Sequence, residues 1–142
     1  MIIMAVDIGT VRTGIAVSDM GESFAFPKEV ITERNRERLI ATLAEKAIAY
    51  KAQLLVVGHP KNMDASEGFK AQECAETAHL LQMATGLETV LWDERCTTVM
   101  AHSALNDSRM HGKKRRNVVD AVAATMILES YLRYRQLHHT QK

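Results

Sequence analysis

The chain opens on MIIMAVDIGT, in which Ile2–Val6 is an unbroken apolar run that stops at an acid, Asp7. A strand with one wet face alternates apolar and polar residues, so an unbroken run suits a strand covered on both faces. Leu54–Val57 repeats the pattern and closes at Gly58. These two runs call for a sheet with helices on each side.

The segments between them fill in that frame. Thr13, Ile15 and Val17 alternate against Gly14, Ala16 and Ser18, which predicts a second strand. Phe24–Ile31 reads as a third strand, with Pro27 arguing for an edge position. Short turns between these three favour an antiparallel meander. Asn35 is a candidate cap for a helix with the stripe Leu39, Ile40, Leu43, Ala44, Ala47 and Ile48. After Leu54–Val57 comes a polar loop, HPKNMDASEG, then a helix over about 66–85 that closes at Gly86. Glu88–Trp92 reads as a fifth strand, 98–105 as a short helix, 106–115 as a polar, basic loop, and 117–135 as the final helix. The expected order is β-β-β-α-β-α-β-α-α: one domain over 1–137, with a tail over 138–142.

Composition narrows the functional classes. With 46% hydrophobic and 25% charged residues, the chain is ordinary globular material. A net charge of +1 advertises no global field for nucleic acid. No apolar run crosses a bilayer and no signal peptide is legible. Cys74 and Cys96 stand far apart without a CxxC partner, so the expected setting is reducing and cytoplasmic.

The acids are placed less ordinarily. Asp7 follows IIMAV, Asp93 and Glu94 follow TVLW, and Asp120 lies inside NVVDAVAATMIL. Each has a plain explanation: a turn former before glycine, an ion pair with Arg95, an i−4 pair with Arg116. Three elements of one small domain each bring a carboxylate to a buried or near-buried position, and such groups need partners. A hard divalent cation, Mg²⁺ or Mn²⁺, would join them. Asp120 shares a helix side with Arg116, Ala123, Ala124 and Ile127, and the small alanines suit close approach to a sheet. Arg109, Lys113, Lys114, Arg115 and Arg116 lead into that helix, an arrangement that suits a phosphodiester backbone. Aromatics make up only 5% of the chain, which argues against extensive base stacking. No HxxxH pair or His/Cys cluster points to zinc, and His59 reads as a loop residue.

Four segments, DIGTVRTGIAVS, VVGHPKNMDASEG, DERCTT and NVVDAVAATMILESYL, resemble the YqgF family in the right order over residues 1–135. Its members are described as pre-16S rRNA nucleases and, earlier, as Holliday junction resolvases. The resemblance implies an α/β, RNase H-like fold: a five-stranded mixed sheet flanked by helices. It implies a nuclease site in which Asp7, Glu94 and Asp120 hold one or two Mg²⁺ or Mn²⁺ ions, with Arg12 orienting the site or touching phosphate. The expected products carry a 5′-phosphate and a 3′-hydroxyl. Resolvase relatives carry a further acid one turn beyond the last one, where this chain has Ala123.

The expected function is 5′-end processing of pre-16S rRNA, with a Holliday junction resolvase-like DNA nuclease in recombination and repair as the alternative within the same class. The expected partners are structured RNA or branched DNA and ribosomal precursor particles, with the protein a monomer or a homodimer. Two alternatives belong to other classes. DIGT also resembles the first phosphate loop of sugar-kinase and actin-type ATPases, but no second glycine-rich phosphate motif follows it. A non-catalytic ribosome-assembly factor that keeps the fold would differ by binding RNA without metal dependence or cleavage.

Overall fold

The computed structural model describes residues 1–59, 68–93 and 112–139, with the side chains of 69, 112–121 and 139 excepted. The elements are β1 (Ile3–Ile8), β2 (Arg12–Ser18), β3 (Ala25–Thr32), α1 (Arg36–Ala49), β4 (Leu54–His59), α2 (Phe69–Thr85), β5 (Thr89–Asp93) and α3 (Gly112–His139). The sheet order is β3-β2-β1-β4-β5. β1–β2 and β2–β3 pair antiparallel, and β1–β4 and β4–β5 pair parallel. The expected mixed sheet is therefore present, with β1 at its centre.

Strand alternation divides the core into two layers. Met4, Val6, Ile15, Val17, Leu55 and Val57 pack with Leu39, Leu43 and Ala47 of α1 and Cys74, Ala78 and Leu81 of α2. Ile3, Ala5, Ala16, Leu54 and Val56 face the other way, against Ala124, Ile127, Leu128, Tyr131 and Leu132 of α3. Each fully buried Ile, Leu or Val contributes about 1.5–3 kcal/mol.

Local chemistry sets the ends of these elements. Asn35 Oδ1 accepts from Arg38 N at 3.0 Å and caps α1. Asp19 Oδ1 accepts from Ser23 N and Phe24 N, both at 2.8 Å, and closes the β2–β3 turn. Gly86, at φ +71°, ends α2 in the left-handed conformation that glycine adopts without strain. β3 is an edge strand as Pro27 predicts, and its pairing with β2 shifts register between Ile15 and Ala16, beside Pro27. A proline and an irregular register both blunt an edge against further strands.

Two expectations, on α1 and on the bounds of the final helix, need correction. Ile48 is 79% exposed: it lies about 100° round α1 from Ala47, outside the narrow stripe Leu39–Leu43–Ala47. α3 begins at Gly112, so 112–115 are helix and not loop, and it continues to His139, into the expected tail. Lys and Arg are good helix formers, which lets the basic run join the helix. The expected helix over 98–105 lies outside the described residues.

Two ion-pair clusters tie helices to the meander. Arg135 Nε of α3 meets Glu22 Oε1 at 2.6 Å, and Met1 N meets Glu22 Oε2 at 3.1 Å. Lys46 Nζ of α1 meets Glu29 Oε1 at 3.0 Å, and the Tyr50 hydroxyl donates to Glu29 Oε2. The bond from Arg135 holds the Glu22 carboxyl below its ordinary value of 4.5. The bond from Tyr50 does the same for Glu29, while burial and that same carboxylate push the Tyr50 hydroxyl up to about 12.

A carboxyl whose pKa is depressed on folding stabilises fully above its unfolded value, and that contribution disappears as pH falls through the folded value. Thermal stability is expected to fall on acidification below about pH 4.5 as Glu22 and Glu29 protonate. Glu22→Gln should cost about 1–2 kcal/mol at neutral pH and flatten part of the acid limb, read by thermal denaturation from pH 7 to 3.

Candidate nucleic-acid cleavage site

The parallel strands β1, β4 and β5 end on one side of the sheet, at Ile8, His59 and Asp93. Carboxyl ends of parallel strands are where α/β sheets place ligands, because the covering helices diverge there. Asp7 sits at this end of β1, half-buried, directly after four residues with no exposure, Ile3–Val6.

Alternation fixes which face each residue takes. Ile3 and Ala5 lie under α3, so Asp7 is in the row that continues to the α3 face. Asp7 pairs with Gly14, and Ala5 with Ala16. Arg12 is in phase with Gly14 and Ala16, so it falls on the same face as Asp7, at the start of β2. The floor beneath this part of α3 is therefore Ala5, Gly14 and Ala16, with Ala124 buried above it. Small residues on both sides let the helix backbone approach the sheet closely.

The DER segment resolves differently. Val90 and Trp92 pack on the α3 side. Asp93 therefore lies on the opposite face, the one covered by α1 and α2. His59, aligned with Asp93 across β4 and β5, shares its phase with Leu55 and Val57. It is the last residue of a strand and buried, where sequence placed it in a loop. Neither Asp93 nor His59 shares a sheet face with Asp7. Glu94 follows β5 directly and lies outside the described residues, as do Arg109 and Cys96.

The course of α3 runs its backbone from Arg135 back toward the carboxyl end of β1. Arg135 at Glu22, beside Met1, fixes one end. From Arg135 back to residue 120 the helix covers about 22 Å, and from Met1 to Asp7 the strand covers about 20 Å. Residue 120 stands four positions before Ala124, the first described residue of the buried stripe Ala124, Ile127, Leu128, Tyr131 and Leu132. Lys113, Lys114, Arg115 and Arg116 occupy the helix turns before it. Among the described residues no three His, Cys, Asp or Glu side chains gather.

Sequence reading missed how far this floor depends on residues without bulk. The alternation Gly14, Ala16, Ser18 on β2 carried that signal. It also missed the tightness of the Gly9 turn between Asp7 and Arg12: a Cβ on Gly9 would lie 2.3 Å from the Arg12 carbonyl oxygen.

A family model described as RuvX, Holliday junction resolvase, matches residues 1–134. The chain is 41% identical over 139 residues to a protein of Lachnospira eligens named "Putative pre-16S rRNA nuclease", covering 96% of this chain and 99% of the relative. A protein of Halothermothrix orenii with the same name is 36% identical over 139 residues, covering 98% and 99%. Among solved structures, Thermus thermophilus RuvC in complex with a Holliday junction substrate superposes with a TM-score of 0.61 at 14% identity, covering 94% of this chain and 96% of that one. The fowlpox virus resolvase in its Holliday junction complex gives 0.59 at 12%, covering 94% and 98%. These structures share the RNase H-like fold.

The Gly9 clash yields a direct test of the turn. Gly9→Ala should displace Asp7 relative to Arg12, lower stability by about 1–3 kcal/mol and reduce nuclease activity by more than the unfolded fraction explains, measured on one preparation by thermal denaturation and cleavage assay.

Proposed function

The chain belongs to the family described as RuvX, Holliday junction resolvase, and on that premise we propose that it is a divalent-metal-dependent nuclease acting on structured RNA at the 5′ end of precursor 16S rRNA. The observation that carries the reading is the convergence at the carboxyl end of β1. Asp7 and Arg12 share the face covered by α3, over a floor of Ala5, Gly14 and Ala16 with Ala124 buried above it.

In this reading Asp7, Glu94 and Asp120 are the catalytic acids. The phase of β5 argues against Asp93, which turns to the face opposite Asp7, and leaves Glu94 as the acid of that segment. The donor set fits Mg²⁺ or Mn²⁺: carboxylate oxygens are hard ligands, and Asp7 lies where the apolar core ends and water begins. When bound, one or two such ions supply an acidified water and neutralise charge on the phosphodiester. The chain's own part is to carry Asp7 on β1 and Asp120 on α3, two elements packed together through one apolar layer. Arg12 orients the scissile phosphate, and Arg109, Lys113, Lys114, Arg115 and Arg116 hold the backbone by charge without reading base identity.

The choice of RNA rests on the relatives, which carry the name of pre-16S rRNA nucleases. Ala123 in place of a further acid supports the same choice over four-carboxylate junction resolution. Ribosomal precursor particles in the cytoplasm are then the partners. RNA processing needs one active site, so a monomer suffices, and the blunted β3 edge offers no ready strand for a second copy.

Asp7→Asn should lower cleavage of precursor rRNA by about 100-fold or more while the melting temperature stays near that of the parent, and Mn²⁺ binding should weaken in parallel. The assay is run beside a four-way DNA junction. Preferential junction cleavage would move the substrate to branched DNA. Undiminished cleavage by the purified variant would overturn the metal site. Tight RNA binding with neither cleavage nor metal dependence would mark an assembly factor.

A further inference from the structure

The chain has one Trp and three Tyr. Trp92, Tyr131 and Tyr134 gather along one side of α3, and His138 extends them. Ring centroids are 5.4 Å apart for Trp92–Tyr131, 5.2 Å for Trp92–Tyr134, 6.2 Å for Tyr131–Tyr134 and 4.0 Å for Tyr134–His138. The column runs from the core to solvent: Tyr131 is buried, whereas Tyr134 is 43% exposed and His138 is exposed.

The rings are fixed in place before any ligand arrives. Trp92 Nε1 donates to Ser130 Oγ at 3.1 Å. His138 Nδ1 lies 2.8 Å from the Tyr134 carbonyl oxygen, so with its proton on Nδ1 it donates there and the ring is held over Tyr134. Docking α3 against β5 uses Trp92 and Tyr131. Tyr134 and His138 carry the stack outward, where burial adds little.

The column also has a definite relation to the cleavage site. It begins at Trp92, just ahead of Glu94, and continues along α3 away from residue 120. From 120 to 134 the helix covers about 21 Å, which a stacked strand spans in about six nucleotides at ~3.4 Å each. Few aromatics suffice for a platform when three of them stand together.

We propose that Tyr134 and His138, backed by Trp92, form a stacking platform for unpaired nucleobases a few nucleotides from the scissile phosphate. Such platforms accept any base, because every base has a π-face. The proposal rests on the nuclease reading and adds to it a preference for substrate with single-stranded bases.

Trp92, the sole tryptophan, reports on the site directly. The full chain is titrated in chelator at low salt with a single-stranded oligoribonucleotide, the same strand made abasic, and a blunt duplex. The base-bearing strand should quench Trp92 emission and bind at least about fivefold tighter than the abasic one. Tyr134→Ala should weaken its binding about tenfold, Tyr134→Phe should retain it, and neither should change abasic binding. Equal affinity for base-bearing and abasic strands, or full-strength binding by Tyr134→Ala, would overturn the platform. Binding to the duplex and abasic strand alone would overturn the platform and leave the nuclease reading standing. No binding to any of the three would overturn the platform, and the cleavage assay with metal then decides the nuclease reading on its own.

Discussion

Water never reaches the centre of β1. Ile3, Met4, Ala5 and Val6 have no exposure, and the side chains alternate between two separate apolar layers. That double burial requires α1 and α2 on one face and α3 on the other. It also fixes where polar chemistry begins, because the first side chain that leaves the core is Asp7. The location of the site follows from where the strand runs out of apolar cover.

α3 is held most firmly away from that site. Arg135 reaches Glu22 at the β2–β3 turn, Tyr131 meets Trp92, and Leu128 and Leu132 fill the layer over Ile3 and Leu54. Toward Asp7 the contacts become small: Ala124 above Ala5 and Ala16, with Gly14 beside Asp7. Bulk gives stability at one end, and its absence gives proximity at the other. Much of the energy that positions residue 120 thus comes from residues that never meet a substrate.

Most of the architecture was legible from periodicity. The two unbroken apolar runs announced the doubly covered strands, the alternation in β2 announced the meander, and Pro27 announced the edge. Helix bounds were less legible. A run such as KKRRN has good helix propensity but no apolar stripe, so pattern alone assigned 112–115 to a loop. His59 was misplaced because Gly58 and Pro60 both suggest a loop, whereas the pairing with β5 carries β4 through His59. For the site, spacing singled out the acids but not their faces. Choosing between Asp93 and its neighbour needs the phase of β5, which Trp92 reveals only once its packing against α3 is known. The aromatic column was illegible because Trp92 and Tyr131 are far apart in sequence, and composition alone makes them look scattered.

The basic residues Lys113–Arg116 and Asp120 ride on one continuous helix. Each residue of an α-helix turns the next by about 100°. Inserting or deleting one residue between 116 and 120 would therefore swing the whole cationic group to another side of the acid while leaving the core below untouched. The spacing is a gear ratio fixed by the helix backbone. The charges and the acid then move as one part.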